Sequence, residues 1–131
     1  MNCRCKNKLN SGYLDREEPK DTSKAFRRLK KKISIDNLWI YILRLLQDKE
    51  MYGYELRESI KTQFGFEPAT VTSYTILYKL EKDGLVTSYI KDNPEGRPDR
   101  KYYTLTEEGK TAMIEAKGLF KEILEKVFDK T

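Results

Sequence analysis

A chain of 131 residues with 26 Lys+Arg against 21 Asp+Glu has room for one small domain and an appendage, and not for two large domains. It contains no His, which removes the commonest general base, every Ser-His or Cys-His nucleophile pair, His metal ligands and the usual switch near neutral pH. Charged residues make up 36% of the chain, yet one Trp, nine Tyr and five Phe require a real core somewhere in it.

Charge and core occupy different segments. Residues 1–32 hold eleven basic and four acidic groups, a net +7, while the other 99 residues hold fifteen basic and seventeen acidic, a net −2. The first segment has only Tyr13 and Phe26 as aromatics, so residues 1–33 read as a basic, largely flexible arm without its own core. Its second half, from Thr22 to Lys32, is placed to extend or prop the helix that follows. Its first 20 residues hold no apolar run of signal-peptide length, and the longest apolar stretch, Leu38 to Leu43, falls far short of the ~20 residues of a membrane helix. A cytoplasmic protein with no membrane partner is therefore expected. Cys3 and Cys5 are too close for an unstrained disulfide and read as free thiols. No metal site and no cofactor are expected.

From Ile35 the pattern becomes helical, with Ile35, Leu38, Trp39, Ile42, Leu45 and Leu46 recurring at three and four and Ser34, Asp36 or Asn37 available as caps. Ile40, Tyr41 and Leu43 widen this apolar surface beyond one stripe, which predicts cover from a second subunit or a ligand. A second helix starts around Tyr52-Gly53-Tyr54, turns Leu56 and Ile60 inward, and ends at Phe64-Gly65, where Gly supplies a left-handed cap. A third runs from Thr70 to Asp83, with Val71, Tyr74, Leu77 and Leu80 on one face. Two β-rich runs, Leu85 to Ile90 and Arg100 to Leu105, then flank the Pro/Gly/Asn tip from Asn93 to Pro98. Thr106 caps a last helix in which Met113, Ala116, Phe120, Ile123 and Val127 step by three and four. That stripe outlasts the domain before it and predicts packing on a partner's equivalent helix.

The expected class is α+β, mostly α: a winged helix-turn-helix domain (34–106) followed by a coiled-coil-like dimerisation helix (107–131). Three stretches then carry a resemblance to the PadR family of winged-helix transcription regulators, in its short form with a single C-terminal helix. Met51-Tyr52-Gly53-Tyr54-Glu55-Leu56 resembles the start of that family's second helix. Thr72-Ser73-Tyr74-Thr75-Ile76-Leu77-Tyr78-Lys79-Leu80-Glu81-Lys82-Asp83-Gly84-Leu85-Val86 is similar to its recognition helix and first strand. Arg97-Pro98-Asp99-Arg100-Lys101-Tyr102-Tyr103-Thr104-Leu105-Thr106-Glu107-Glu108-Gly109 resembles its wing and last-helix entry. The match covers about residues 35 to 128, in order and in register. Where the family often reads Ser-Pro-Gly-Thr-Leu-Tyr-Pro, this chain has Ala69-Thr70-Val71-Thr72-Ser73-Tyr74-Thr75, a difference that bears on which base edges are read.

Candidate DNA contacts follow from both readings. Thr70, Thr72, Ser73 and Thr75 cluster where a helix-turn-helix protein enters the major groove, and helix capping accounts for one such hydroxyl but not four. Tyr78, Lys79 and Lys82 lie further along, where a solvated lysine face is the plain alternative. Tyr52 and Tyr54 divide between a phosphate contact and core packing; Arg97, Arg100 and Lys101 suit a narrow groove, although Asp92, Glu95 and Asp99 nearly cancel them. Trp39, Ile42, Met113, Ala116, Phe120, Ile123 and Val127 are the expected dimer interface. The resemblance further implies a small aromatic effector held by Trp39 and Phe120, against which stands ordinary aromatic packing. The functional expectation is a homodimeric, sequence-specific DNA-binding regulator, a repressor on a palindromic operator. The alternative is a winged-helix protein-interaction module; an enzyme is not expected, since no nucleophile-base pair or phosphate loop is visible.

Overall fold

The computed structural model describes residues 12–93 and 95–131, so Cys3, Cys5, the arm's Arg4, Lys6 and Lys8, and Pro94 of the tip lie outside the described residues. Among the described residues the elements run α1 (Lys24–Lys32), a 3-10 turn (Ile35–Asn37), α2 (Leu38–Leu46), β1 (Met51–Tyr52), α3 (Gly53–Phe64), α4 (Thr70–Lys82), β2 (Val86–Lys91), β3 (Arg100–Leu105) and α5 (Glu107–Phe128).

Within residues 12–33, which composition reads as a largely flexible arm, the structure places a helix and several side-chain contacts. Ser23 Oγ accepts the Phe26 N–H at 3.1 Å and starts α1, whose last turn is Lys30, Lys31 and Lys32, the charge that a helix C-terminus favours. Lys30 Nζ then pairs with the Glu18 carboxylate at 2.6 Å and donates to the Arg16 carbonyl at 2.9 Å. Tyr13 packs edge-on against Phe26 with 5.9 Å between ring centres. Composition misses this because it treats Glu18 and Lys30 as solvated charges, whereas the Glu18 side chain is only 8% exposed. Asp15 lies close against Gly65 at the end of α3, where a side chain on that glycine would collide with it.

The apolar run of α2 makes it the central helix. Leu38, Ile42, Leu43, Leu45 and Leu46 are buried against Leu56 and Ile60 of α3, Leu77 and Leu80 of α4, and Met51, Val86 and Tyr103 of the sheet. Ile42 is 1% exposed within the single chain, so it belongs to this core and not to a dimer interface as its spacing suggested. The expected caps of α2 are also engaged elsewhere. Ser34 Oγ donates to the Lys30 carbonyl at 2.6 Å and the Asn37 amide donates to the Lys32 carbonyl, so both satisfy the orphan carbonyls at the end of α1. Tyr41 leaves the core edge to donate its hydroxyl to the Ile33 carbonyl at 2.7 Å, with its ring against Phe64 and Phe66.

Helix α3 ends as expected, with Gly65 at φ 86°, a left-handed position that favours glycine. The sheet holds one strand more than expected: β1 pairs antiparallel with β3, Met51 opposite Tyr103 and Tyr52 opposite Tyr102, giving the order β1-β3-β2. Thr106 Oγ accepts the Gly109 N–H at 3.0 Å and donates to the Gly84 carbonyl at 2.7 Å, which caps α5 and ties its start to the end of α4. The first half of α5 packs on α2; every residue from Lys117 to Phe128 is exposed. No helix among the described residues is long and apolar enough to cross a membrane.

Candidate nucleic-acid interface

Helix α4 buries Ser73, Leu77 and Leu80, with Ile76 half-buried beside them. A spacing of four and three fixes the opposite ridge as Val71, Thr75, Tyr78 and Lys82, all exposed. This shifts the phase of the helix from the one expected. Val71 is 78% exposed and not core, and Tyr74 lies over Gly53, where a Cβ would approach its ring to 2.4 Å. Ser73 is the matching correction: it is 3% exposed and its hydroxyl donates to the Ala69 carbonyl at 3.0 Å, so it cannot reach a ligand. Thr70 and Thr75 are exposed and Thr72 is half-buried. The N-cap is Ala69, which makes no side-chain capping bond, so capping accounts for none of these hydroxyls. Lys79 is exposed at the side of the helix, in a shallow cleft with Trp39, Asp83 and Leu85.

The wing holds its cations in three different ways. Arg97 stays at the tip, 3.2 Å from Glu95, with its side chain 62% exposed. Arg100 places its guanidinium 4.5 Å from the centre of the Tyr52 ring. Lys101 Nζ lies 3.3 Å from Glu81 Oε1 on α4, and the other oxygen of that carboxylate accepts the Ser88 hydroxyl. Tyr52, Tyr102 and Tyr89 form a row across all three strands, as the register of directly opposed partners requires, and Lys91 lies 5.2 Å above Tyr102. Tyr89 donates to the Glu50 carboxylate, and that bond pushes its pKa up to about 12. Tyr52 is thus packed on the sheet, whereas Tyr54, at the start of α3, is 53% exposed.

Residues 42–115 match the model of the Transcriptional regulator PadR-like family. The chain belongs to this family. Among solved structures it is similar to a transcriptional regulator from Clostridium thermocellum, at 30% identity over 71% of this chain and 90% of that one, TM-score 0.59. A PadR family transcription regulator from Clostridium difficile shows 29% identity over 69% of this chain and 96% of its own, TM-score 0.60. Bacillus subtilis PadR in complex with operator DNA shows 29% identity over 60% of this chain and 44% of its own, TM-score 0.56.

The PadR-like match leaves α1 and the distal half of α5 outside it. The distal half of α5 contributes to a second feature. Trp39 and Ile40 of α2, Ile33 after α1, and Ala116, Leu119, Phe120 and Ile123 of α5 line an open, mostly apolar cleft of about 470 Å³. Trp39 and Phe120 therefore share one cavity, with the half-buried Ala116 in its lining, while Met113 is half-buried against the core. Phe120, Ile123 and Val127 are 40%, 38% and 64% exposed, an apolar stripe that this chain alone leaves in water.

Proposed function

We propose that this PadR-like chain is a sequence-specific DNA-binding transcription regulator that works in the cytoplasm as a homodimeric repressor on a palindromic operator. The observation that carries the reading is the free ridge of α4: Val71, Thr75, Tyr78 and Lys82 stand in solvent, with Thr70 at the helix head, on a helix whose other face is locked into the core. A ridge of this kind offers methyl, hydroxyl and ammonium groups to base edges and phosphates. The similarity to Bacillus subtilis PadR, solved with operator DNA, supports the same assignment. Val71 joins the contact set in place of Ser73, because an exposed methyl pair suits a thymine methyl. Tyr54 and Arg97 add phosphate contacts on either side, and the basic excess of residues 1–33 adds affinity that does not depend on sequence.

Residues 34–106 form the reading head and residues 107–131 the dimerisation helix, with Trp39, Met113, Ala116, Phe120, Ile123 and Val127 covered by the second copy. A planar aromatic effector between Trp39 and Phe120 changes the spacing of the two heads and so releases the operator.

The test is binding to the DNA upstream of the protein's own gene, against a random duplex of equal length, over a series of salt concentrations. Selective retention with a steep negative salt slope is expected. Equal binding to both duplexes at every salt refutes the reading and leaves a protein-interaction module. Phe120→Glu places a charge in the apolar stripe and should convert the dimer to a monomer by light scattering, with loss of operator binding. A dimeric Phe120→Glu protein overturns the assigned interface.

A further inference from the structure

The acid Glu81 sits on α4, the helix assigned above to base reading, where a negative charge opposes a polyanionic ligand. Its carboxylate faces the sheet, not the solvent ridge. One oxygen accepts the hydroxyl of Ser88 on β2; the other lies 3.3 Å from Lys101 Nζ on β3. Ser88 stands opposite Tyr103 and Lys101 opposite Ile90, so both groups project from the same face of the wing, the face turned to α4. The Lys101 ammonium also lies 5.6 Å above the ring of Tyr103, which is 5% exposed and belongs to the core. One carboxylate thereby holds both strands of the wing to the flank of the helix, and the hydrogen bond from Ser88, with Lys101 beside it, holds that carboxyl below the usual carboxylate range.

We propose that Glu81 is a positioning residue that fixes the angle between α4 and the wing, and so controls discrimination between duplexes without touching DNA. This rests on the reading of α4 as the base-reading helix. Discrimination requires side chains on α4 and cations on the wing to meet successive grooves together, so a rigid joint between the two narrows the set of duplexes that satisfy both. Without the clamp each element finds phosphates independently. Lys101, which the sequence pattern presents as a DNA ligand, is used for this joint.

The charge effect and the positioning effect have opposite signs, which makes the test decisive. In Glu81→Ala the loss of a negative charge and the release of Lys101 should raise affinity for a random duplex and steepen the salt slope by up to ~0.9, one phosphate contact. The same variant should lower the ratio of operator to random-duplex affinity by about tenfold, on the order expected for a charge-assisted pair plus a hydrogen bond. Ser88→Ala changes no charge; it should lower the ratio by a smaller factor and leave the salt slope alone. A ratio unchanged in Glu81→Ala, with both affinities raised together, overturns the proposal. Hydrogen exchange supplies a readout that needs no DNA: amides of β2 and β3 should exchange faster in Glu81→Ala while those of α2 do not change. If the wild-type protein fails to discriminate any duplex, the functional reading falls, and the exchange experiment alone decides the clamp, unchanged wing amides refuting it. Should Glu81→Ala fail to fold, Glu81→Gln, which drops the ion pair and keeps an acceptor for Ser88, carries the same comparison.

Discussion

Two glycines of α5 are expected to respond to the same substitution in opposite directions. A Cβ on Gly109 would stand 2.3 Å from the Leu85 carbonyl oxygen and 2.5 Å from Leu105 Cδ1. The first obstacle is backbone, so Gly109→Ala requires the first turn of α5 to withdraw by about 1 Å from the start of β2, against a close-packed neighbour. Overpacking of this kind costs about 1–3 kcal/mol, and the better helix propensity of Ala returns about 1 kcal/mol. The net loss is up to about 2 kcal/mol, a fall in Tm of up to roughly 8 °C for a domain of this size. Gly118 has nothing within 4 Å and lies on the face of α5 away from Ala116, Phe120 and Ile123. Gly118→Ala therefore keeps only the propensity gain, about 0.5–1 kcal/mol and roughly 2–4 °C upward. Thermal melts followed by circular dichroism, at one fixed protein concentration because self-association of any kind makes Tm depend on it, measure both. A Gly109→Ala protein that melts above the wild type, as Gly118→Ala should, would refute the close approach of α5 to Leu85, and a destabilised Gly118→Ala would show that this face is covered.

Three further outcomes are expected. Thr106→Ala removes the acceptor for Gly109 N–H and the donor to the Gly84 carbonyl, and should cost about 1 kcal/mol of stability in denaturant melts. Tyr89, raised from 10.0 to about 12 by its bond to Glu50, favours folding fully while the unfolded phenol is still protonated. That contribution should fade between pH 10 and about 12, and Glu50→Gln should bring its phenolate absorbance titration back toward 10. Glu18 is displaced the other way, held low chiefly by its bond from Lys30, so the contact is intact above the ordinary value of 4.5 and lost as pH falls through the depressed one. Hydrogen exchange in α1 should accelerate over that acid range in the wild type and be pH-independent there, apart from intrinsic chemistry, in Glu18→Gln.

Much of the architecture was legible from residues whose roles are local. Gly65 at a left-handed turn, Thr106 before two acids, and the paired β-rich runs around the tip each specify their own geometry within a few positions. Errors arose where the deciding contact lies far away in sequence. Two residues, Met51 and Tyr52, carry no alternation to announce a strand; they become one because β3 offers an unpaired edge. On α4 the letters Val71 and Tyr74 read as core and Ser73 as surface. A serine that returns its hydroxyl to the carbonyl four residues back has no polar group left to solvate and packs as a small residue. Ile42 has the spacing of an interface, but α3, α4 and the sheet close over it first. In the basic segment a mean over charges does not show that Glu18 and Lys30 face each other.

The placement of β3 between β1 and β2 has a consequence for folding. Its partner residues in β1 lie about fifty positions earlier in the chain, while those in β2 are its near neighbours. The hairpin can form from local contacts, but the seam to Met51 and Tyr52 closes only after a long loop has been organised, so the slow step should join two halves that are each partly assembled. A ribosome-bound chain that has not yet released Tyr103 would present β1 and β2 without their shared partner, and with them the apolar underside of α2. That interval is when the protein is most exposed to aggregation, and when a chaperone would find it.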